Sequence, residues 1–204
     1  MNDLATFPDA WEETAIVTIQ LKAGTAYQYA AITETVDISE PDYPTESINN
    51  LAGGRIVKQS SMEDGEITLE IYPIELPTNA NNTGLFQFYV GGTADNSEPC
   101  ITDTTWVAGV DRTRDKYIVA IMWTTDASQT SAMSATTATD KTALRFYAKE
   151  CRITSHKTSF TDGIVKTTVT FKFPAFVKAG TTMSFAWESS DDTDTSPLPA
   201  LTYT

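Results

Sequence analysis

EPDYPTESINNLAGGRIVKQSSMEDGEITLEIY, residues 40–72, joins a long segment without clear periodicity to a regular one. Its last part, Glu66-Ile67-Thr68-Leu69-Glu70-Ile71-Tyr72, places Ile67, Leu69 and Ile71 on one face, the period-2 pattern of a half-buried strand. Before it, Glu40 to Asn50 carries Pro41, Tyr43 and Pro44 and fits neither helix nor strand. Gly53-Gly54 follows, where backbone angles of positive φ are cheap, then a short strand over Arg55–Lys58 and a turn at Glu63-Asp64-Gly65. Connections longer than about 12–15 residues are uncommon and are mostly functional or disordered. This one is neither polar enough for a linker nor plain enough for a turn. It reads as an arm, spanning 40–64, that docks on another copy of the protein. Pro41, Tyr43, Pro44, Ile48, Leu51, Gly53, Gly54 and Arg55, with Trp11 from the N-terminus, are the candidate inter-subunit contacts.

Outward from the arm the chain reads as strands. Residues 1–13 form an N-terminal arm anchored by Phe7, Pro8 and Trp11. Thr14–Lys22 alternates, with Ala15, Val17, Ile19 and Leu21 on one face, and is expected to be half-buried. Ala26–Ser39 has a parity fault, since Tyr27 and Tyr29 lie on one phase and Ile32, Val36 and Ile38 on the other; a bulge or a break into two strands repairs it. Asn79–Thr83 is suited to capping a short helix that carries Leu85, Phe88 and Tyr89 and ends at Gly91-Gly92. Trp106-Val107 is a short strand, and Tyr117–Trp123, almost wholly apolar, is a strand buried on both faces. Residues 126–142, in which Ala, Ser and Thr make 12 of 17, read as an exposed, mobile loop. Ala143–Phe160 and the run from Val165 to Phe173 flank a hairpin signal at Thr161-Asp162-Gly163, and Met183–Trp187 is a last strand. The fold class is therefore mainly β: an antiparallel β-sandwich or open barrel over 14–187, with one short flanking helix, the long inter-strand arm and extended termini, the last being an acidic extension over 188–204.

At 204 residues, 41% apolar and 10% aromatic, the chain is long enough for one domain with a sizeable core. Its net charge of −13 argues against binding nucleic-acid phosphates or anionic membranes. Lys157, Lys166, Lys172 and Lys178 look scattered and solvent-facing instead of forming a basic patch. No signal peptide or transmembrane stretch is read, so folding in a cytoplasm is expected. Cys100 and Cys151 lack C-x-x-C spacing and read as two buried free thiols, with a disulfide the alternative.

Chemistry is sought and not found. The single histidine, His156, sits in a strand without a nucleophile elbow, and one His with two distant Cys cannot make a transition-metal site. Asp191-Asp192-Thr193-Asp194 lacks the glycine and terminal glutamate of a calcium loop, and the glycine pairs are not phosphate loops. No catalytic residue, metal ligand or cofactor is assigned. Trp11, Trp106, Trp123 and Trp187 raise a carbohydrate-stacking alternative, against which Trp123 reads as core.

The stretches Glu40-Pro41-Asp42-Tyr43 through Gly53-Gly54-Arg55, Gly65–Tyr72 and Leu85–Val90 together resemble, in layout, the major tail tube protein of long-tailed viruses of bacteria and archaea. The resemblance extends loosely over most of the chain. It implies a structural virion protein, assembled in the host cytoplasm, that forms hexameric rings stacked into a tube. It further implies a channel lined by joined inner sheets, with the loop and both arms bridging subunits and successive rings. Tape-measure and tail-terminator proteins would be partners, and DNA would pass without sequence-specific binding and without a membrane. An excess of negative charge in the channel would agree with the acidic composition. The 126–142 loop is a departure. A carbohydrate-binding sandwich and a capsid-decorating or pilus-like subunit are the alternatives.

Overall fold

A computed structural model describes residues 15–22, 24, 26–30, 33–49, 53–71, 91–92, 106–107, 115–126, 128–136, 143–161, 163–177, 182–190 and 197–203. The helix expected near 79–90, the N-terminal arm, Cys100 and the Asp191–Asp194 cluster lie outside the described residues. What is described is strand, turn and extended chain without a helix: β1 (Ala15–Leu21), β2 (Ala26–Ala30), β3 (Thr33–Ser39), β4 (Thr45–Asn49), β5 (Arg55–Gln59), β6 (Gly65–Ile71), β7 (Gly91–Gly92), β8 (Trp106–Val107), β9 (Tyr117–Thr124), β10 (Ala143–Thr161), β11 (Ile164–Phe173) and β12 (Phe185–Ser190).

Eight of these make one antiparallel, strongly curled sheet in the order β2-β1-β9-β10-β11-β6-β3, with β12 also on β10. Two places produce the curl. β10 pairs with β9 and β12 through Ala143–Ala148, and with β11 from Arg152 onward. Its register shifts between Ala148 and Cys151, where Glu150 takes a left-handed conformation (φ 61°). A bulge of this kind bends a strand and increases its twist. The β2–β3 run is the other corner: its pairing with β1 ends at Ala30 and its pairing with β6 begins at Thr33. The parity fault in 26–39 is thus a break into two strands. An open barrel results, and its interior holds Val17, Ile19, Ile67, Leu69, Tyr117, Val119, Ile121, Phe146, Ile153, Val169, Phe171 and Phe173.

The outer face of β1, β9 and the first half of β10 is also buried. Ile16, Ile118, Ala120, Met122 and Ala143 pack there against Ala132 and Met133 from the 126–136 segment and Leu198 and Tyr203 from the C-terminus. Two expectations are corrected here. β1 is buried on both faces, not one, and the low-complexity loop is a cover over 131–133, not an exposed insertion. Its small hydroxyl residues permit this because their polar groups are matched: Thr18 Oγ1 accepts the Ala132 N–H (2.8 Å) and lies 3.4 Å from Ser131 Oγ, while Asp126 accepts from Ser128 N–H (3.0 Å) and Oγ–H (2.6 Å). Residues 197–203 of the C-terminal extension also pack on this face. Thr136 N–H donates to Leu198 C=O (3.1 Å) and Leu201 N–H to Met133 C=O (2.9 Å), and β12 runs to Ser190, past the expected end at Trp187.

Arg145 locks these covers to the sheet. Its side chain is fully buried, with Nε donating to Glu188 (2.8 Å), Nη1 to the carbonyls of Ala132 (3.3 Å) and Ser134 (3.1 Å), and Nη2 to Glu188 and to Pro199 C=O (2.7 Å). One planar fork thereby joins β10, β12, the 131–136 segment and the C-terminal segment. Removing one partner of such a buried pair costs about 3–5 kcal/mol. Arg145→Met is expected to lose stability on that scale in urea unfolding, and Arg145→Lys to recover little, because an ammonium cannot reach all four acceptors.

Candidate functional site

The two strands that flank the arm are neighbours: β3 pairs with β6 from Thr33↔Ile71 to Ser39↔Glu66. Past Gly65 their ladder continues. Glu63 N–H donates to Asp42 C=O (2.8 Å), Ser60 N–H to Pro44 C=O (3.0 Å), and β4 pairs with β5 from Thr45↔Gln59 to Asn49↔Arg55. The segment read as irregular is therefore a two-stranded ribbon, about 25 Å long at ~3.3 Å per residue. Periodicity failed to show it because none of its faces is buried. All ten residues of β4 and β5 are exposed.

Its base is fixed. Pro41 is buried, and a Cβ on Gly65 would meet the Phe173 ring and come within 2.7 Å of Pro41 Cδ. Gly65 is thus required by close approach. Trp187 Nε1–H donates to Glu40 Oε1 (2.6 Å), and the Trp187 ring stacks on Trp123 (6.0 Å, 16°) above Phe146. Trp123 is half-buried, at the rim of the core. Tyr43 is exposed with its N–H on Asp42 Oδ1 (2.7 Å), and Pro44 is half-buried.

Along the ribbon, Ile48 and Ile56 stand directly opposite each other, 47% and 56% exposed, with Glu46 and Lys58 beside them on the same face. Val57, 65% exposed, faces the other way. Gly53 takes a positive φ (79°) at the ribbon's end, as its residue type allows, with Gly54 and Arg55 exposed beside it. Trp11 and Leu51 lie outside the described residues. Ile56 and Val57 are not among the candidates read from the sequence, where Arg55–Lys58 is expected only as a short strand. Glu40 and Trp187, 147 positions apart, meet only through the fold.

Charge is also gathered in a way the sequence hid. Arg152, Lys157, Lys166 and Lys172 all lie on the β10–β11 ribbon, with Arg152 opposite Lys172. Lys157, Lys166 and Lys172 thus share one face of the ribbon, and Lys178 lies outside the described residues. Glu70 pairs with Lys166 (3.1 Å) and Glu66 with Lys172 (3.8 Å), so the uncovered outer face of β10, β11, β6 and β3 is polar, with basic residues toward β10 and Asp37, Glu66 and Glu70 toward β3. At the β10 bend a cleft of about 440 Å³ is lined by Lys116, Glu150, Arg152 and Lys172 among others. Burial pushes the Glu150 carboxyl up, but the hydrogen bond and charge of Lys116, with Lys22 and Tyr203, outweigh it and hold the carboxyl below its ordinary range. His156 is half-buried and its pKa lowered by desolvation, and Cys151 is a buried free thiol pushed up by burial. Among the described residues no group of three or more His, Cys, Asp or Glu is placed to hold a metal ion, and no helix is long and apolar enough to cross a membrane.

No protein-family model matches the chain, and no curated protein does. Among solved structures it is similar to a chain of the sheath–tube complex of an extracellular contractile injection system in the extended state, with 13% identity over 92% of this chain and 95% of that one, and a TM-score of 0.47. It is similar also to that system's sheath/tube terminator (12% identity, 84% and 92%, TM-score 0.44) and to the tube-terminating cap of the anti-feeding prophage (9% identity, 91% and 92%, TM-score 0.45). At TM-scores below 0.5 these likenesses are too distant to assign the chain a family or a role.

The packing at the arm's base makes its own prediction. Gly65→Ala forces Phe173 or Pro41 aside, and overpacking of this kind costs about 1–3 kcal/mol. Thermal unfolding followed by circular dichroism is expected to show the loss, while Gly54→Ala, at an exposed position of the arm, is expected to leave the melting temperature within a degree or two.

Proposed function

We propose that the chain is a structural subunit that binds copies of itself through the arm, forming rings that stack into a tube of the viral-tail kind. The observation that carries this reading is the ribbon itself. An isolated two-stranded hairpin is marginal in water. This one holds three large aliphatic side chains, Ile48, Ile56 and Val57, about half or more exposed. Burying such a side chain fully is worth roughly 1.5–3 kcal/mol. A rigid base on Pro41, Gly65 and Trp187 that presents an apolar ribbon to solvent suits a contact made with another molecule.

Sheet edges support side-by-side association. Among the described residues β3 has a ladder partner only in β6, and β12 only in β10. Joining such edges around a ring would carry the uncovered polar face of β10, β11, β6 and β3 onto the channel. That face mixes signs through the Lys166–Glu70 and Lys172–Glu66 pairs, so on this reading the channel is charge-balanced rather than strongly acidic. Fixed side chains already matched to one another leave little to hold a passing polyanion, which fits passage of DNA without sequence-specific binding. Hexameric rings, tape-measure and terminator partners and a place in the virion follow from the sequence resemblance. A structural role without catalysis is part of the proposal. The carbohydrate reading has less support, since the Trp187 ring is stacked on Trp123 and its N–H is on Glu40.

Negative-stain electron microscopy of the purified chain over a concentration series is the test. Rings or hollow stacks are expected at high concentration. Replacing residues 42–63 by a two-residue turn is expected to leave a folded monomer. Discrete monomers of the intact chain at every concentration would contradict the reading.

A further inference from the structure

Arg152 stands between two irregularities of β10. The register shifts against β9 between Ala148 and Cys151 and against β11 between Ile153 and Ser155, and Glu150, with its left-handed backbone, lies two residues before it. Bulges re-aim side chains and are frequent beside functional sites, where strained backbone also clusters. The side chain so placed stands directly opposite Lys172 on β11. Like charges at directly opposed strand positions are destabilising. The fold relieves this pair poorly. Lys172 reaches Glu66 at 3.8 Å between side chains about half exposed, and among the described residues Arg152 has no carboxylate partner.

Both cations border the cleft at the bend, whose volume of about 440 Å³ falls within the roughly 300–1,000 Å³ of small-ligand sites. Pro174 and Phe176 give the cleft an apolar wall. The turn after β11 holds that wall: Ser184 N–H donates to Ala175 C=O (3.0 Å), Ser184 Oγ–H donates to Pro174 C=O, and Phe176 forms a bridge to Met183. Lys149 N–H donates to Ser184 C=O (2.7 Å), which ties the turn to the bend. The third cation of the lining, Lys116, is taken up by Glu150. With Asp64, the lining sets three cations against two carboxylates, a net +1.

We propose that this cleft binds the carboxylate side chain of a short acidic peptide, with Arg152 and Lys172 on the carboxylate and an apolar neighbouring residue against Pro174 and Phe176. The guanidinium fork matches the two oxygens of a carboxylate, and the ammonium adds a point charge. One negative charge neutralises the lining, whereas a phosphate dianion exceeds it and meets Asp64 and Glu150. The bound carboxylate also removes the repulsion between Arg152 and Lys172. Binding here requires no assembly of copies.

Isothermal titration of the dilute chain with acetyl-Ala-Glu-Leu-amide tests this. Saturable binding of one peptide per chain is expected, weakened about tenfold or more by Arg152→Gln. The uncharged acetyl-Ala-Gln-Leu-amide, acetate and inorganic phosphate are each expected to bind about tenfold or more weakly than the Glu peptide. Arg152→Gln also relieves Lys172, so its melting temperature is expected to rise about 1–3 °C, which separates lost binding from lost folding. No saturable binding of the Glu peptide would overturn the proposal, as would equal binding by Arg152→Gln or by the Gln peptide. Phosphate binding more tightly than the peptide would overturn the choice of a carboxylate ligand. A lower melting temperature for Arg152→Gln would show that Arg152 serves the fold and would remove the ground for a ligand there.

Discussion

A nineteen-residue strand serves two halves of a barrel only if it bends, and β10 bends at Glu150, with a second register shift between Ile153 and Ser155. A non-glycine residue in the left-handed region costs of order 1–3 kcal/mol and persists only where its surroundings hold it. Here the surroundings do so through the Lys116 ion pair and the Tyr203 hydroxyl, 3.4 Å from the carboxylate. Upstream of the bend β10 lies between β9 and β12 and contributes Arg145 to the covered face; downstream it pairs with β11 and reaches Phe160 at the tip.

The bend divides the molecule into unlike faces. On one, apolar residues of β1 and β9 are sealed by the 131–136 and 197–203 segments, held by Arg145. On the other, rows of threonine and matched charges are left bare. The sealed face adds stability without offering a contact, and the bare face has too little apolar surface to hold a partner. Among the described residues, the exposed large apolar side chains lie on the arm and its base, at Met183 and at Phe160 beside the β10–β11 turn.

Much of the fold was legible because burial leaves a pattern. Ile67 and Leu69 alternate with Glu66, Thr68 and Glu70 since one side of β6 meets the core and the other meets water. Tyr117–Trp123 reads as wholly buried since both its sides are covered, and the change of phase after Tyr29 marks the corner between β2 and β3. Where burial is absent or indirect the pattern fails. The arm has no buried face, so Ile48 and Ile56 appear as isolated apolar residues and the ribbon reads as loop. Ala132 and Met133 are buried amid serines and threonines whose hydroxyls find partners across the fold, such as Ser131 at Thr18, and composition alone reads that run as solvated. Lys166 and Lys172 look dispersed in sequence, but the antiparallel register brings them beside Lys157 and Arg152. Of the candidate contact residues, Pro41, Tyr43, Pro44, Ile48, Gly53, Gly54 and Arg55 fall on one ribbon or its base, whereas Phe160 had no sequence signal beyond its place next to a turn.

Hydrogen exchange read by mass spectrometry across a concentration series bears most directly on the arm. The amides of 45–49 and 55–59 pair only with each other and lie in water, so in dilute protein they should exchange within seconds, far faster than those of β9. Assembly through the arm predicts that they become protected at least tenfold as concentration rises, while the amides of β9 do not change. Arm amides that exchange at the same fast rate in assembled as in dilute protein would contradict it.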